Sequence, residues 1–185
     1  MKWLFLGAAL MLAASLTQAQ NVTIDSELRP NTDFSHFKSY AWASQPDIKQ
    51  DSKLYAKNDL ALKRQVRDAV GNAMDGRGYT LAPQSPDLII NVRVFDKPTT
   101  IKGYTGSSTD NITPGEIQSL GKETDINIQA GTILVNLVDT KTDQAVWQGL
   151  ASGLTSTNGL DRQEGKIREA INLIFNKYPY RADKF

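Results

Sequence analysis

Apolar and polar residues alternate over Asn21–Leu28, where Val22, Ile24 and finally Leu28 stand among polar neighbours, the period of a half-buried strand. Pro30-Asn31 ends it, Asp33-Phe34-Ser35-His36-Phe37 reads as a compact turn, and Tyr40 and Trp42 share one face of a short strand at Lys38–Ala43. Gln45–Lys57 is a polar connection. A helix follows, with Asp59 as its expected N-cap and Leu62, Val66, Ala69, Val70 and Ala73 at three- and four-residue spacing. Lys63, Arg64, Arg67, Asp68 and Asn72 fall on its solvated side, and Gly76-Arg77-Gly78 stops it.

Tyr79-Thr80-Leu81 is a short strand, and Leu88–Phe95, nearly all apolar at its start, predicts a strand in the middle of a sheet. From Pro98 to Thr124 the chain is polar and rich in Gly, Ser and Thr. It is expected to be a long loop with at most a helical turn around Gly115–Leu120, and loops of that length are usually functional or mobile. Gly131–Asp139 and Ala145–Leu154 flank Thr140–Gln144 as an antiparallel hairpin. Trp147, Gly149, Ala151 and Gly153 share one face of its second strand, and the small residues leave room for a helix to pack closely. The expected occupant carries Ile167, Ala170, Ile171, Ile174, Phe175 and Tyr178 in one stripe, with Asp161 and Glu164 as a capping box and Pro179 as its stop.

The first nineteen residues predict export. Met1-Lys2-Trp3 is a basic start, Leu4–Leu16 an apolar run, and Thr17-Gln18-Ala19 supplies small residues for cleavage. The run is shorter than the roughly 20 residues a bilayer-spanning helix needs. Residues 1–19 are therefore expected to be a removable signal peptide and 20–185 a single domain in the periplasm or secreted. A lipoprotein needs Cys directly after the cleavage site, where Gln20 stands, so no acyl anchor is expected. The chain has 21 Lys and Arg against 20 Asp and Glu, and losing Lys2 leaves 20 of each. That balance attracts neither nucleic acid nor an anionic membrane surface. With no cysteine, burial alone must hold the domain, without disulfides.

In order along the chain, Asp33–Trp42, Gly76-Arg77-Gly78-Tyr79, Pro86–Asn91, Gly131–Asp139 and Val146-Trp147-Gln148-Gly149 resemble a bacterial envelope family catalogued as domain of unknown function 4136. The resemblance covers nearly the whole mature chain. It implies an exported protein, often a lipoprotein, with two helices packed on an antiparallel sheet, and it implies no reaction. The missing lipoprotein cysteine departs from the common pattern. The expected architecture is α+β: two helices on one face of a mostly antiparallel sheet of about five or six strands, a two-layer sandwich.

No cofactor, metal or catalytic residue is assigned. His36 is the only histidine, set among aromatic residues, and without Cys both zinc-thiolate and thiol-nucleophile chemistry are excluded. Gly76-Arg77-Gly78 follows a helix, whereas a phosphate loop precedes one. Asp110–Glu116 lacks the alternating ligands of a calcium loop. Phe34, Phe37, Tyr40, Trp42 and Trp147 read as core before they read as a ligand cleft. Lys166, Arg168, Lys177, Arg181 and Lys184 read as a solvated face that suits a helix C-terminus. The expected function is non-enzymatic binding or assembly in the cell envelope, with an unknown envelope protein or small ligand as partner. The alternative is a periplasmic hydrolase using paired carboxylates, the only plentiful acid–base groups.

Overall fold

A computed structural model of the chain describes residues 22–43, 60–105, 122–156 and 159–184. The elements run β1 (Thr23–Leu28), β2 (Ser39–Trp42), α1 (Leu60–Asp75), β3 (Thr80–Leu81), β4 (Leu88–Phe95), β5 (Thr99–Thr105), β6 (Lys122–Ile128), β7 (Thr132–Asp139), β8 (Gln144–Ser152), β9 (Thr155–Ser156), β10 (Gly159–Leu160) and α2 (Glu164–Asn176). Single 3-10 turns lie at Phe34–His36 and Ala182–Lys184. Six strands form one sheet in the order β1-β8-β7-β4-β2-β3, while β5 pairs only with β6 and β9 only with β10.

The α1 stripe Leu62, Val66, Ala69, Val70 and Ala73 is buried, joined by Met74. Its last carbonyls are satisfied by the turn that follows: Gly76 N–H donates to Asn72, and Arg77 and Tyr79 N–H to Met74. Gly78 takes φ +81°, a left-handed conformation that a side chain strains, and a Cβ there would also stand 2.6 Å from that of Asp183. The α2 stripe Ile167, Ala170, Ile171, Ile174 and Phe175 is buried as well. Both helices cover one face of the sheet, where Leu88, Ile90, Ile133, Val135, Leu137, Trp147 and Ala151 complete one core cluster. On the opposite face Phe95, Ile128 and Leu134 form a smaller cluster with Leu150 against it.

Close approach of α2 depends on Gly149, where an added Cβ would lie 2.5 Å from Trp147 Cη2 and 2.6 Å from Ile174 Cγ2. The small-residue face of this strand therefore does receive a helix. The strand stops at Ser152, and Gly153 turns the chain at φ +89°.

Four expectations need correction. The sheet is mixed, because β2 runs parallel to both β3 and β4. The β2–α1–β3 crossover returns the chain in the same direction, and β4 then enters on the other side of β2. Second, the segment expected as a loop from Pro98 carries strands at both ends, Thr99–Thr105 against Lys122–Ile128 in unbroken register; Gly115–Leu120 lies outside the described residues, as do Asp59 and Gln45–Lys57. Third, the capping box does not form. Gln163 is the N-cap and makes no side-chain cap bond, while Asp161, two residues before it, accepts from Gln163 N–H at 3.1 Å through Oδ1. Fourth, Tyr178 lies beyond the helix, whose C-cap is Lys177, yet it is buried.

Gly149→Ala is expected to destabilise the protein by about 1–3 kcal/mol through overpacking, read as a lowered urea midpoint at unchanged slope. Ile171→Asp, which puts a carboxylate at a fully buried site, should abolish cooperative thermal unfolding. Wild-type melting in both would show that α2 is not seated on β8.

Candidate functional site

Phe34, Phe37, Tyr40 and Trp147 are all buried, so the aromatic set lines no cleft. Phe34 stacks on Tyr180 with centroids 3.9 Å apart and meets Phe37 and Tyr178 edge-on. Trp147 packs on Phe175 and Tyr178. Trp42 is half-buried, with the Arg67 guanidinium 4.7 Å above its ring. His36 is largely exposed at the 3-10 turn, its Nδ1 4.0 Å from Asp33 Oδ2. These groups tie the turn after β1 to the chain beyond α2.

Polar side chains at this end are consumed in the same way. Asp87 Oδ2 accepts from Lys38 N–H at 2.9 Å, Ser39 N–H at 3.0 Å and Ser39 Oγ at 2.8 Å, which pins the crossing between β3 and β4 to the start of β2. Burial pushes this carboxyl up, but the Lys38 and Ser39 hydrogen bonds, with Lys141 nearby, outweigh it and hold the group below its usual range. Arg77 donates to the Ala73 carbonyl at 3.0 Å and the Phe175 carbonyl at 2.5 Å, joining the ends of the two helices. The Tyr79 and Tyr178 hydroxyls share a buried hydrogen bond of 2.8 Å. Burial, then the neighbouring Tyr79, drives the Tyr178 hydroxyl far above its usual range. Tyr40 bonds Asp75 Oδ1 at 3.0 Å and is pushed up to about 12, first by burial and then by that carboxylate.

Two carboxylates, Asp139 and Asp96, are likewise engaged. Buried Asp139 accepts from Lys141 N–H and Thr142 Oγ1, closing the β7–β8 turn. Asp96 Oδ1 accepts from Leu160 N–H, with Arg162 3.7 Å from its other oxygen. Nothing among the described residues favours the hydrolase alternative. Three of the five C-terminal cations sit in local ion pairs: Arg168 with Glu164 at 2.6 Å, Lys166 with Glu169 at 3.6 Å and Arg181 with Asp183 at 2.6 Å. No helix among the described residues is long and apolar enough to cross a membrane.

Among the described residues, the sheet face opposite the helices carries no helix. Register and alternation place Asn91, Asn136, Gln148 and Glu27 side by side across β4, β7, β8 and β1, with Gln148 Nε2 donating to Asn136 Oδ1 at 2.7 Å. This polar row lies next to the row Arg93, Leu134, Leu150 and Asp25. The β5–β6 ribbon leaves the same face, anchored at its base by buried Ile128. Sequence periodicity could not assemble this surface, because its residues come from strands far apart in the chain.

An α+β domain with two helices on one side of a mixed sheet is thus the class defined by the coordinates. The family model described as Domain of unknown function (DUF4136) matches residues 24–180, and the chain belongs to that family. It is similar to a DUF4136 family protein from Bacteroides thetaiotaomicron, at 19% identity and TM-score 0.58 over 89% of this chain and 99% of that one. It is also similar to a PDZ domain protein from Parabacteroides distasonis, at 17% identity and TM-score 0.52 over 86% of this chain; the aligned part spans 36% of that longer protein. A PelC dodecamer from Paraburkholderia phytofirmans aligns at TM-score 0.46 and 11% identity over 86% of this chain and 98% of that one, too distant a likeness to carry an argument. No functionally curated protein matches.

Removing one hydroxyl from the tyrosine pair leaves the other buried without its partner. Tyr178→Phe should therefore cost about 1–3 kcal/mol, while Tyr79→Phe together with Tyr178→Phe should cost less than the two single changes combined. Because the folded state raises the Tyr178 value above that of the unfolded chain, the associated stability is present below about pH 10 and lost as pH rises beyond it. Chemical denaturation at pH 7 to 11 measures both effects. Asp87 has the opposite sign: its depressed value stabilises the fold above about pH 4, and that contribution disappears as pH falls through the folded value. Asp87→Asn should lose about 1–2 kcal/mol at pH 7, allowing for partial solvent screening, and flatten the acid limb of the stability curve.

Proposed function

We propose that the protein is an exported, non-enzymatic module of the cell envelope that acts by binding a partner. The observation that carries this reading is the division of polar groups between the two sides of the sheet. On the helix side and at the sheet ends, Asp87, Arg77, Tyr79, Tyr178 and Asp139 are spent on holding the fold. None of these five side chains is left spare as an acid or base. On the other side, a row running from exposed Asn91 through half-buried Asn136 and Gln148 to exposed Glu27, and a two-stranded ribbon, carry no helix among the described residues. Isolated two-stranded ribbons are marginal in water, so a ribbon that leaves the main sheet gains order by contacting something else. The basic and apolar leader at residues 1–19 supports export, and family membership is consistent with it without naming a reaction.

The structure dictates how the test is built. Deleting all of 98–124 would remove β5 and part of β6, so the informative deletion is residues 106–121, closed by a short glycine turn. Tagged wild type expressed with its leader is expected to be recovered from the envelope fraction beginning at Gln20, and crosslinking there should capture a discrete partner that the 106–121 deletion recovers poorly. An intact N-terminus would overturn export, and equal recovery by both proteins would remove residues 106–121 from the binding surface.

A further inference from the structure

Among the described residues, the first strand is an edge of the sheet with no strand on its outer side. Arg29 N–H donates to the Val146 carbonyl at 2.9 Å, and the unbroken register from Thr23↔Ser152 to Leu28↔Trp147 then fixes which backbone groups face β8. Thr23, Asp25 and Glu27 bond to β8, while Ile24, Ser26 and Leu28 direct their N–H and C=O groups away from the sheet. Natural sheets blunt such edges with proline, bulges or charged side chains. β1 has no proline or bulge within its six residues, and both of its charges, Asp25 and Glu27, are acidic. It is regular and exposed on its outer-facing side at Thr23, Asp25 and Glu27, and Leu28 is 42% exposed at its end.

Charge decides the occupant. Asp25 and Glu27 lie on the same face two residues apart, and their β8 partners Leu150 and Gln148 are uncharged. A second copy paired through β1 would bring like charges together, a juxtaposition that disfavours association. An incoming strand with Lys or Arg at alternate positions would set opposite charges beside both. The single outward donor already engaged is Ser26 N–H, which bonds Asp25 Oδ1 at 2.8 Å. A cation beside Asp25 competes for that carboxylate and frees Ser26 N–H for the incoming carbonyl, so charge recognition and backbone pairing are coupled. We infer that β1 receives an extended basic segment of a partner protein by strand addition. This inference rests on the reading of the protein as a binding module.

The test uses fluorescein-labelled peptides with alternating Lys-Val or Glu-Val sequences and the purified chain. The Lys-Val peptide should bind saturably by anisotropy, at least tenfold more tightly than the Glu-Val peptide, and weaken as salt rises. Asp25→Lys with Glu27→Lys should invert the preference. Ser26→Pro removes an outward N–H without touching the β1–β8 ladder, so it should weaken binding at least tenfold while cooperative melting is retained. Equal binding by Ser26→Pro, no saturable binding by wild type, or a wild-type dimer in sedimentation that Ser26→Pro dissolves would each overturn the inference. If the peptide fails while envelope crosslinking still captures a partner with Ser26→Pro, the β1 assignment falls and the binding-module reading stands; if no partner is captured by either protein, the broader reading falls as well.

Discussion

Seating α2 on β8 is the contact on which the rest of the fold depends. Ile174 occupies the space that Gly149 leaves beside the Trp147 ring, and Ile167, Ile171, Ile174 and Phe175 are buried completely. At roughly 1.5–3 kcal/mol for each large side chain, this interface outweighs any single polar contact in the molecule. It also explains how a chain with no cysteine holds together: the helix reaches both β8 and β1, and α1 packs beside it. The edge strand β1 stays attached because Ile24 joins the same core.

Two short polar devices then fix the ends. Asp87 holds the start of β2 through three donors, and Arg77 bridges the carbonyls at the C-terminal ends of α1 and α2. Both occur in the sequence segments by which the chain resembles its family, Pro86–Asn91 and Gly76–Tyr79. Their physical role is topological. A mixed sheet in which β2 is flanked by two parallel strands needs the chain to cross the end of β2, and a carboxylate that accepts from the N–H groups exposed there stabilises that crossing.

The elements legible in the sequence were those with a sustained period. α1, α2, β4, β7 and β8 each bury the residues their spacing selects, and Gly149 was legible as a site of close helix approach. Strand direction was not, because alternation is the same for parallel and antiparallel pairs, and the Asp87 partners lie 48 and 49 residues away. β5 and β6 were missed because Lys, Gly, Asp and Asn interrupt their Thr, Ile and Tyr residues, so no sustained apolar alternation marks either strand. The Asp161–Glu164 signature misled because the helix starts two residues later, with Gln163 at its cap, leaving Asp161 to brace the approach to that cap. Of the candidate site, β1 was legible as a strand and its edge position was not, since its partner β8 lies more than a hundred residues further on.

The same distribution of polar groups bears on function. A catalytic site needs groups whose protonation can change without loss of the fold, whereas ionising Tyr178 or protonating Asp87 would weaken contacts that hold the helices and β2 in place. A binding surface has the reverse requirement: its donors and acceptors must be free to exchange water for a partner. Along β1 the outward groups of Ile24, Ser26 and Leu28 contribute nothing to the β1–β8 ladder, and Ser26 N–H is held only by the neighbouring Asp25 carboxylate. Engaging them leaves the α2–β8 contact undisturbed, so recognition at that edge is energetically separable from folding.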